Sequence, residues 1–156
     1  MKVLVVDDKK SIRKTFELVF RKEGHSIFTA GSSEEALKAA KKHDPDIIFL
    51  DVKLPDRTGL ETVPDLKKIS PSVYIVIITG HGNVPDAVSA LKMGVYDYLE
   101  KPISTDKLKI LIKHIEEESK LVTAYSELKS QQEIPELIGK TPAIEKIKNY
   151  IPRVAL

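Results

Sequence analysis

Five short runs rich in β-branched and aliphatic residues, each followed by a stretch with helical periodicity, restrict this chain to very few architectures. The runs are Lys2 to Val6, Ser26 to Ala30, Ile47 to Leu50, Val73 to Ile78 and Tyr96 to Leu99. Those at Ile47 and Val73 are apolar without alternation, as in strands buried on both faces of a parallel sheet. Ser11 to Glu23 spaces Ile12, Phe16, Leu18, Val19 and Phe20 among charges and stops at Gly24, an amphipathic helix with a glycine at its end. Ser33-Glu34-Glu35 opens a second helix that ends near His43-Asp44-Pro45, and a third covers Leu60 to Ile69. Pro85 suits the first turn of a fourth helix reaching Met93-Gly94. From Thr105 the chain is helical again, with Leu108, Leu111, Ile112 and Ile115 on one face. Strand-then-helix units in series require a parallel sheet with right-handed crossovers. The predicted fold is therefore α/β: a three-layer, doubly wound, five-stranded parallel sheet in the flavodoxin-like order 2-1-3-4-5, with an extended C-terminal helix.

Bulk properties narrow the function classes. The 156 residues are 42% hydrophobic and 31% charged, ordinary values for a soluble globular protein. A formal net charge of +2 gives no argument for nucleic-acid or membrane-surface binding. The absence of cysteine removes disulfide and thiol chemistry. No apolar run approaches membrane-spanning length and the N-terminus enters a strand directly, so a cytoplasmic setting is expected.

The polar residues at the ends of the predicted strands carry the chemistry. Asp7 and Asp8 end the first strand, Asp51 the third, Thr79 the fourth, and Lys101 the fifth. In the order 2-1-3-4-5 the switch point lies between strands one and three, where such sheets bind ligands. Each residue taken singly has an ordinary reading. Asp51 can cap the exit from the sheet, Asp8 can cap the helix near Ser11, Lys101 can be a solvated loop charge, and Tyr98 can be amphipathic packing. Together they place three carboxylates where mutual repulsion calls for a cation. Oxygen-only ligands with few protein contacts suit Mg²⁺. A lysine and a hydroxyl facing that metal complete a phosphate-sized anion site, which fits phosphoryl transfer onto Asp51.

Val5-Val6-Asp7-Asp8, Phe49-Leu50-Asp51-Val52-Lys53-Leu54-Pro55, Thr79-Gly80 and Tyr98-Leu99-Glu100-Lys101-Pro102 together resemble the receiver domain of two-component response regulators. The resemblance implies that Asp51 accepts phosphate from a histidine kinase. It implies that Asp7, Asp8, Asp51 and the Lys53 carbonyl hold Mg²⁺, and that Thr79 and Lys101 grip the phosphoryl oxygens. It further implies a switch through Thr79, Tyr98 and Pro102, with a cis Lys101-Pro102 peptide, and an open site at Gly80. Lys53 and His81 stand at positions that tune phosphate lifetime in the family. Lys9 and Arg57-Thr58-Gly59 depart from the family's common pattern, at positions expected to lie outside the core chemistry.

The helical pattern outruns the domain. Val122, Tyr125 and Leu128 continue the apolar stripe, which Glu118 and Ser119 interrupt. Such a helix calls for a partner, and a homodimer through the final helix and linker is expected. Glu136-Leu137-Ile138-Gly139-Lys140-Thr141-Pro142 resembles the opening of an AAA+ ATPase domain of the NtrC type, although no phosphate-binding GxxxxGK[ST] loop occurs. The expected organisation is a receiver domain over 1–120, a helical linker over 121–134 and the beginning of an AAA+ domain over 135–156. ATP hydrolysis, sigma-54 RNA polymerase and DNA would then concern the rest of a sigma-54-dependent activator, not this segment. Two other classes share parts of the pattern. A flavodoxin wants a glycine- and hydroxyl-rich phosphate loop where this chain has Asp7-Asp8-Lys9-Lys10. A haloacid-dehalogenase phosphatase wants a second Asp where Lys53 stands. The reading is thus of a protein that modifies itself, not an enzyme.

Overall fold

The computed structural model describes residues 1–131. Strands β1 (Lys2–Val6), β2 (Ser26–Ala30), β3 (Ile47–Asp51), β4 (Tyr74–Thr79) and β5 (Asp97–Glu100) form one parallel sheet in the order β2-β1-β3-β4-β5. Helices α1 (Lys10–Lys22), α2 (Ser33–His43), α3 (Gly59–Ile69), α4 (Val84–Lys92) and α5 (Thr105–Gln131) alternate with the strands. The predicted architecture and strand order are present. Strands β4 and β5 begin one residue later than the apolar pattern suggests. The Val73 amide closes a turn onto the Ser70 carbonyl, so the β4 ladder starts at Tyr74 although Val73 is buried. At β4 the apolar pattern thus reads burial one residue ahead of the ladder.

Side-chain alternation along the strands divides the core in two. Val3, Val5, Ile47, Phe49, Val76 and Ile78 face one way, against Phe16 and Phe20 of α1 and Leu108, Ile112 and Ile115 of α5. Leu4, Val6, Ile48, Leu50, Ile75 and Ile77 face the other way, against α2, α3 and Ala90 of α4. Every residue of β3 is buried, so the Asp51 strand runs through the middle of both layers. The ring of Phe49 lies 5.3 Å from Phe16 and 5.2 Å from Phe20, packing α1 onto the central strand.

Local signals end the helices as their chemistry requires. Gly24 adopts φ 83° after α1, and Asp44 closes α2 in the left-handed region. Ser32 caps α2, a Thr58–Glu61 capping box opens α3, and Asn83 with Pro85 opens α4.

Helix α5 has 27 residues, a length of about 40 Å. Glu118, which interrupts its apolar stripe in the sequence, is buried and accepts a 2.9 Å hydrogen bond from the Tyr96 hydroxyl. Tyr96 meets Tyr74 edge-on, with ring centroids 5.5 Å apart. Burial and the Glu118 charge push the Tyr74 phenol up to about 12. The interruption is therefore a docking point against the base of the sheet. Beyond it Val122 and Tyr125 are half-buried and Leu128 is exposed.

His25 ties the chain's beginning to α5. Its Nδ1 lies 3.1 Å from the N-terminal amine and 3.7 Å from Glu116. Burial and the neighbouring amine lower the imidazole pKa from 6.5, with Glu116 and Glu23 opposing. The unfolded chain thus protonates His25 first as pH falls, so its contribution is complete above about pH 6.5 and is lost below it. Urea midpoints of the wild type are expected to fall between pH 7.5 and 5.5 more steeply than those of His25→Gln. Equal slopes would contradict this.

Candidate functional site

The register between β1 and β3 pairs Val6 with Leu50, which brings Asp7 and Asp51 side by side at the carboxyl edge. Both carboxylates are buried, while Asp8 is exposed at the rim. Oxygens of all three lie within 4.8 Å of one another. Lys101 arrives from beyond β5 and donates to Asp7 Oδ2 at 2.7 Å and to Asp51 Oδ2 at 3.1 Å. Its backbone amide donates to the Thr79 carbonyl at 2.7 Å, and the Lys101-Pro102 peptide is cis.

Each remaining oxygen has a reason for its position. Asp7 Oδ1 accepts from the Lys9 amide at 2.8 Å, and Asp51 Oδ1 from the Lys53 amide at 3.2 Å. Lys9, not Asp8, is the N-cap of α1 and provides no side-chain cap bond, so the capping role open to Asp8 in the sequence is not used. Thr79 is buried, and its hydroxyl accepts from the His81 amide at 3.2 Å. The Tyr98 ring is half-buried, and a Cβ added at Gly82 would sit 3.2 Å from its Cε1 and 3.4 Å from Thr79 Cγ2. Gly82 thus occupies the narrow gap between the two expected switch residues. A Cβ at Gly80 would meet nothing, so that side of the site is open.

The electrostatics favour a cation. Burial raises the Asp51 pKa, and the Asp7 charge adds to this, with the Lys53 amide and Lys101 opposing. Burial alone would lower the Lys101 pKa, but its bonds to Asp7 and Asp51 outweigh that and raise it. One ammonium therefore pairs with two carboxylates, and Asp8 adds a third beside them. The donors are all oxygen and one of them is open to solvent, a set that fits a hard divalent ion.

Residues 3–113 match the response regulator receiver domain family. The chain belongs to that family. Nitrogen assimilation regulatory protein NtrX of Azorhizobium caulinodans is 33% identical over 154 residues, covering 97% of this chain and 34% of its own length. The crystal structure of NtrX from Brucella abortus matches 98% of this chain at 35% identity, with a TM-score of 0.76 and 34% of that chain covered. The solution structure of the beryllofluoride-activated NtrC4 receiver domain dimer matches at 41% identity, with a TM-score of 0.71, covering 75% of this chain and 97% of that one. The chain spans about a third of the length of the curated relative.

Of the residues singled out in the sequence, this receiver domain gathers Asp7, Asp8, Asp51 and Lys101 in direct contact range, while Thr79 bonds to His81 and Tyr98 packs at Gly82. Besides Gly82, two contributors escaped sequence reasoning. Arg13 donates from Nη1 to the Asp7 carbonyl at 2.7 Å, which one more basic residue on a charged helix gives no sign of. Gly59 packs so closely that a Cβ there would collide with the Asp51 carbonyl. A glycine eight residues after Asp51 was visible only as a loop residue. Gly59→Ala is expected to displace the end of β3 and to lower stability by about 1–3 kcal/mol, the usual cost of forcing an added methyl into a packed site. Urea unfolding at neutral pH checks it, and a wild-type midpoint would show that the strand end yields freely.

Proposed function

We propose that this receiver domain is the phosphorylation-dependent input of a two-component system, with Asp51 as the acceptor. The observation that carries the reading is the Lys101 ammonium shared between two buried carboxylates, at 2.7 and 3.1 Å, beside a third. An Asp51 oxygen attacks the phosphorus of a phosphohistidine on the kinase, the P–N bond breaks, and the imidazole keeps the electron pair. Asp7, Asp8, Asp51 and the Lys53 carbonyl are the groups that would hold Mg²⁺. When bound, the ion supplies positive charge to the oxygens in transit. Lys101, already at Asp51, takes one phosphoryl oxygen, and the Thr79 hydroxyl leaves the His81 amide for another. Phosphorylation adds about two negative charges at this point. Movement of Thr79 vacates space for the Tyr98 ring, and Pro102 follows the strand that carries it. Lys53 and His81 flank the acyl phosphate and limit water access to it.

The output follows from the surface. Val88, Leu91 and Met93 around α4 and Ile110 and Leu128 on α5 are exposed apolar side chains. A homodimer through α5 and the linker covers part of this area, in keeping with the dimeric form of the NtrC4 receiver. The domain boundaries proposed are receiver 1–120, linker 121–134 and the start of an AAA+ domain at 135–156. Residues 132–156 lie outside the described residues. In the full-length protein the AAA+ domain, sigma-54 RNA polymerase and DNA are the downstream partners, and the setting is cytoplasmic. Among the described residues no helix is long and apolar enough to cross a membrane.

Incubation with acetyl phosphate and Mg²⁺ is expected to add one phosphoryl group, seen by mass spectrometry and absent in Asp51→Asn. Multiple-turnover phosphate release would favour a phosphatase instead, and no adduct would reject both. Beryllofluoride, which mimics the phosphoryl group, is expected to shift the sedimenting species between monomer and dimer. An unchanged mass would reject the dimer switch.

A further inference from the structure

The loop between β3 and α3, residues 52–58, carries the Lys53 carbonyl and is closed at its base by the Gly59 amide donating to the Val52 carbonyl at 2.8 Å. Its tip reaches sideways. Asp56 accepts the Ser33 amide on Oδ1 and the Glu34 amide on Oδ2, both at 2.9 Å. These are the first two amides of α2, whose own cap, Ser32, accepts only from Glu35. Asp56 thus completes the N-terminus of a helix it does not belong to. Desolvation raises its pKa, but the amides of Ser33 and Glu34, with those of Asp56 and Arg57, outweigh this and hold the carboxyl below the usual range.

Arg57 reinforces the same junction. Its Nε donates to Ser33 Oγ at 2.9 Å and its Nη2 to Asp65 Oδ2 at 2.7 Å, so one guanidinium joins α2 to α3 across the loop. Ser33 and Thr62 are fully buried, and their hydroxyls lie 2.6 Å apart. Thr62 in turn donates to the Thr58 carbonyl at 2.9 Å. The sequence departure at Arg57, which has no evident role in the one-dimensional pattern, is the bridge of this network. The circuit continues to the far side of the site. Gly31, just before α2, donates to Glu35 Oε2 at 2.7 Å, and Ala30 accepts the Asp7 amide at 3.1 Å. Hydrogen bonds and the chain between them thus join the Lys53 loop, through Asp56, α2 and Ala30, to Asp7.

We propose that Asp56 and Arg57 are positioning residues for divalent-cation binding, clasping the Lys53 loop to α2 so that the Lys53 carbonyl keeps a fixed place beside the carboxylates that the sheet aligns. The proposal rests on the metal reading given under the proposed function. Neither residue touches the cation. Their effect is pre-organisation: a loop held in its liganding position loses less freedom when the ion arrives. Partners that orient metal ligands typically change affinity by about 10- to 100-fold when removed. A helix cap alone would instead change stability and leave affinity untouched.

The test uses the 156-residue chain as wild type, Asp56→Ala, Asp56→Asn and Arg57→Met. Mg²⁺ affinity is measured by calorimetric titration, and amide exchange at Lys53 and Gly59 is measured on metal-free protein. Asp56→Ala is expected to weaken Mg²⁺ binding by about 10-fold or more and to speed exchange at Gly59. Acetyl phosphate labelling is expected to return close to wild type at saturating Mg²⁺. Asp56→Asn, which keeps one acceptor, should fall between, as should Arg57→Met. Wild-type Mg²⁺ affinity and exchange in a folded Asp56→Ala, with only a lower melting temperature, would reduce the clasp to a cap and overturn the proposal. A wild type that binds no Mg²⁺ would overturn the metal reading itself, and the proposal with it.

Discussion

The carboxyl edge of this sheet depends on one shared ammonium. Asp7 and Asp51 are brought together by adjacent central strands and buried by the same core that holds those strands. Two such carboxylates repel one another when both are charged, unless a cation lies between them. Lys101 bonds to both, and is itself fixed through its amide to the end of β4. The ends of β1, β3, β4 and β5 are thereby linked by a single side chain and its backbone.

That arrangement explains how a stable domain tolerates a concentration of buried charge. Removing one partner from a buried ion pair leaves the other uncompensated, at a cost of about 3–5 kcal/mol. The acids are held at the margin of the core, where β3 ends and solvent begins. Asp8 opens outward while Asp7 and Asp51 do not, so one face of the cluster stays accessible.

Much of this was legible in the sequence because it follows from patterning and strand order. Continuous apolar runs on β1, β3 and β4, and the glycine after α1, identify the layers, and strand order alone brings Asp7 beside Asp51. What the sequence concealed is of a different kind. Arg13, Gly59 and Gly82 act through close approach to backbone or rings, and such approaches depend on three-dimensional spacing that no period encodes. Glu118 reads as a fault in an apolar stripe until Tyr96 is seen to meet it. Asp56 looks like a turn residue, and only the fold shows that the amides of another helix end on it.

The contact between Glu118 and Tyr96 also has mechanical content. Tyr96 immediately precedes β5 and stands two residues before Tyr98, on the strand that Lys101-Pro102 follows. Helix α5 continues 13 residues past Glu118 to Gln131, about 20 Å of rigid rod. With its fulcrum at the sheet, a tilt of about 5° moves the far end by on the order of 2 Å, since displacement grows with helix length. Any tilt at the Tyr96 contact is therefore magnified along the free length of the helix.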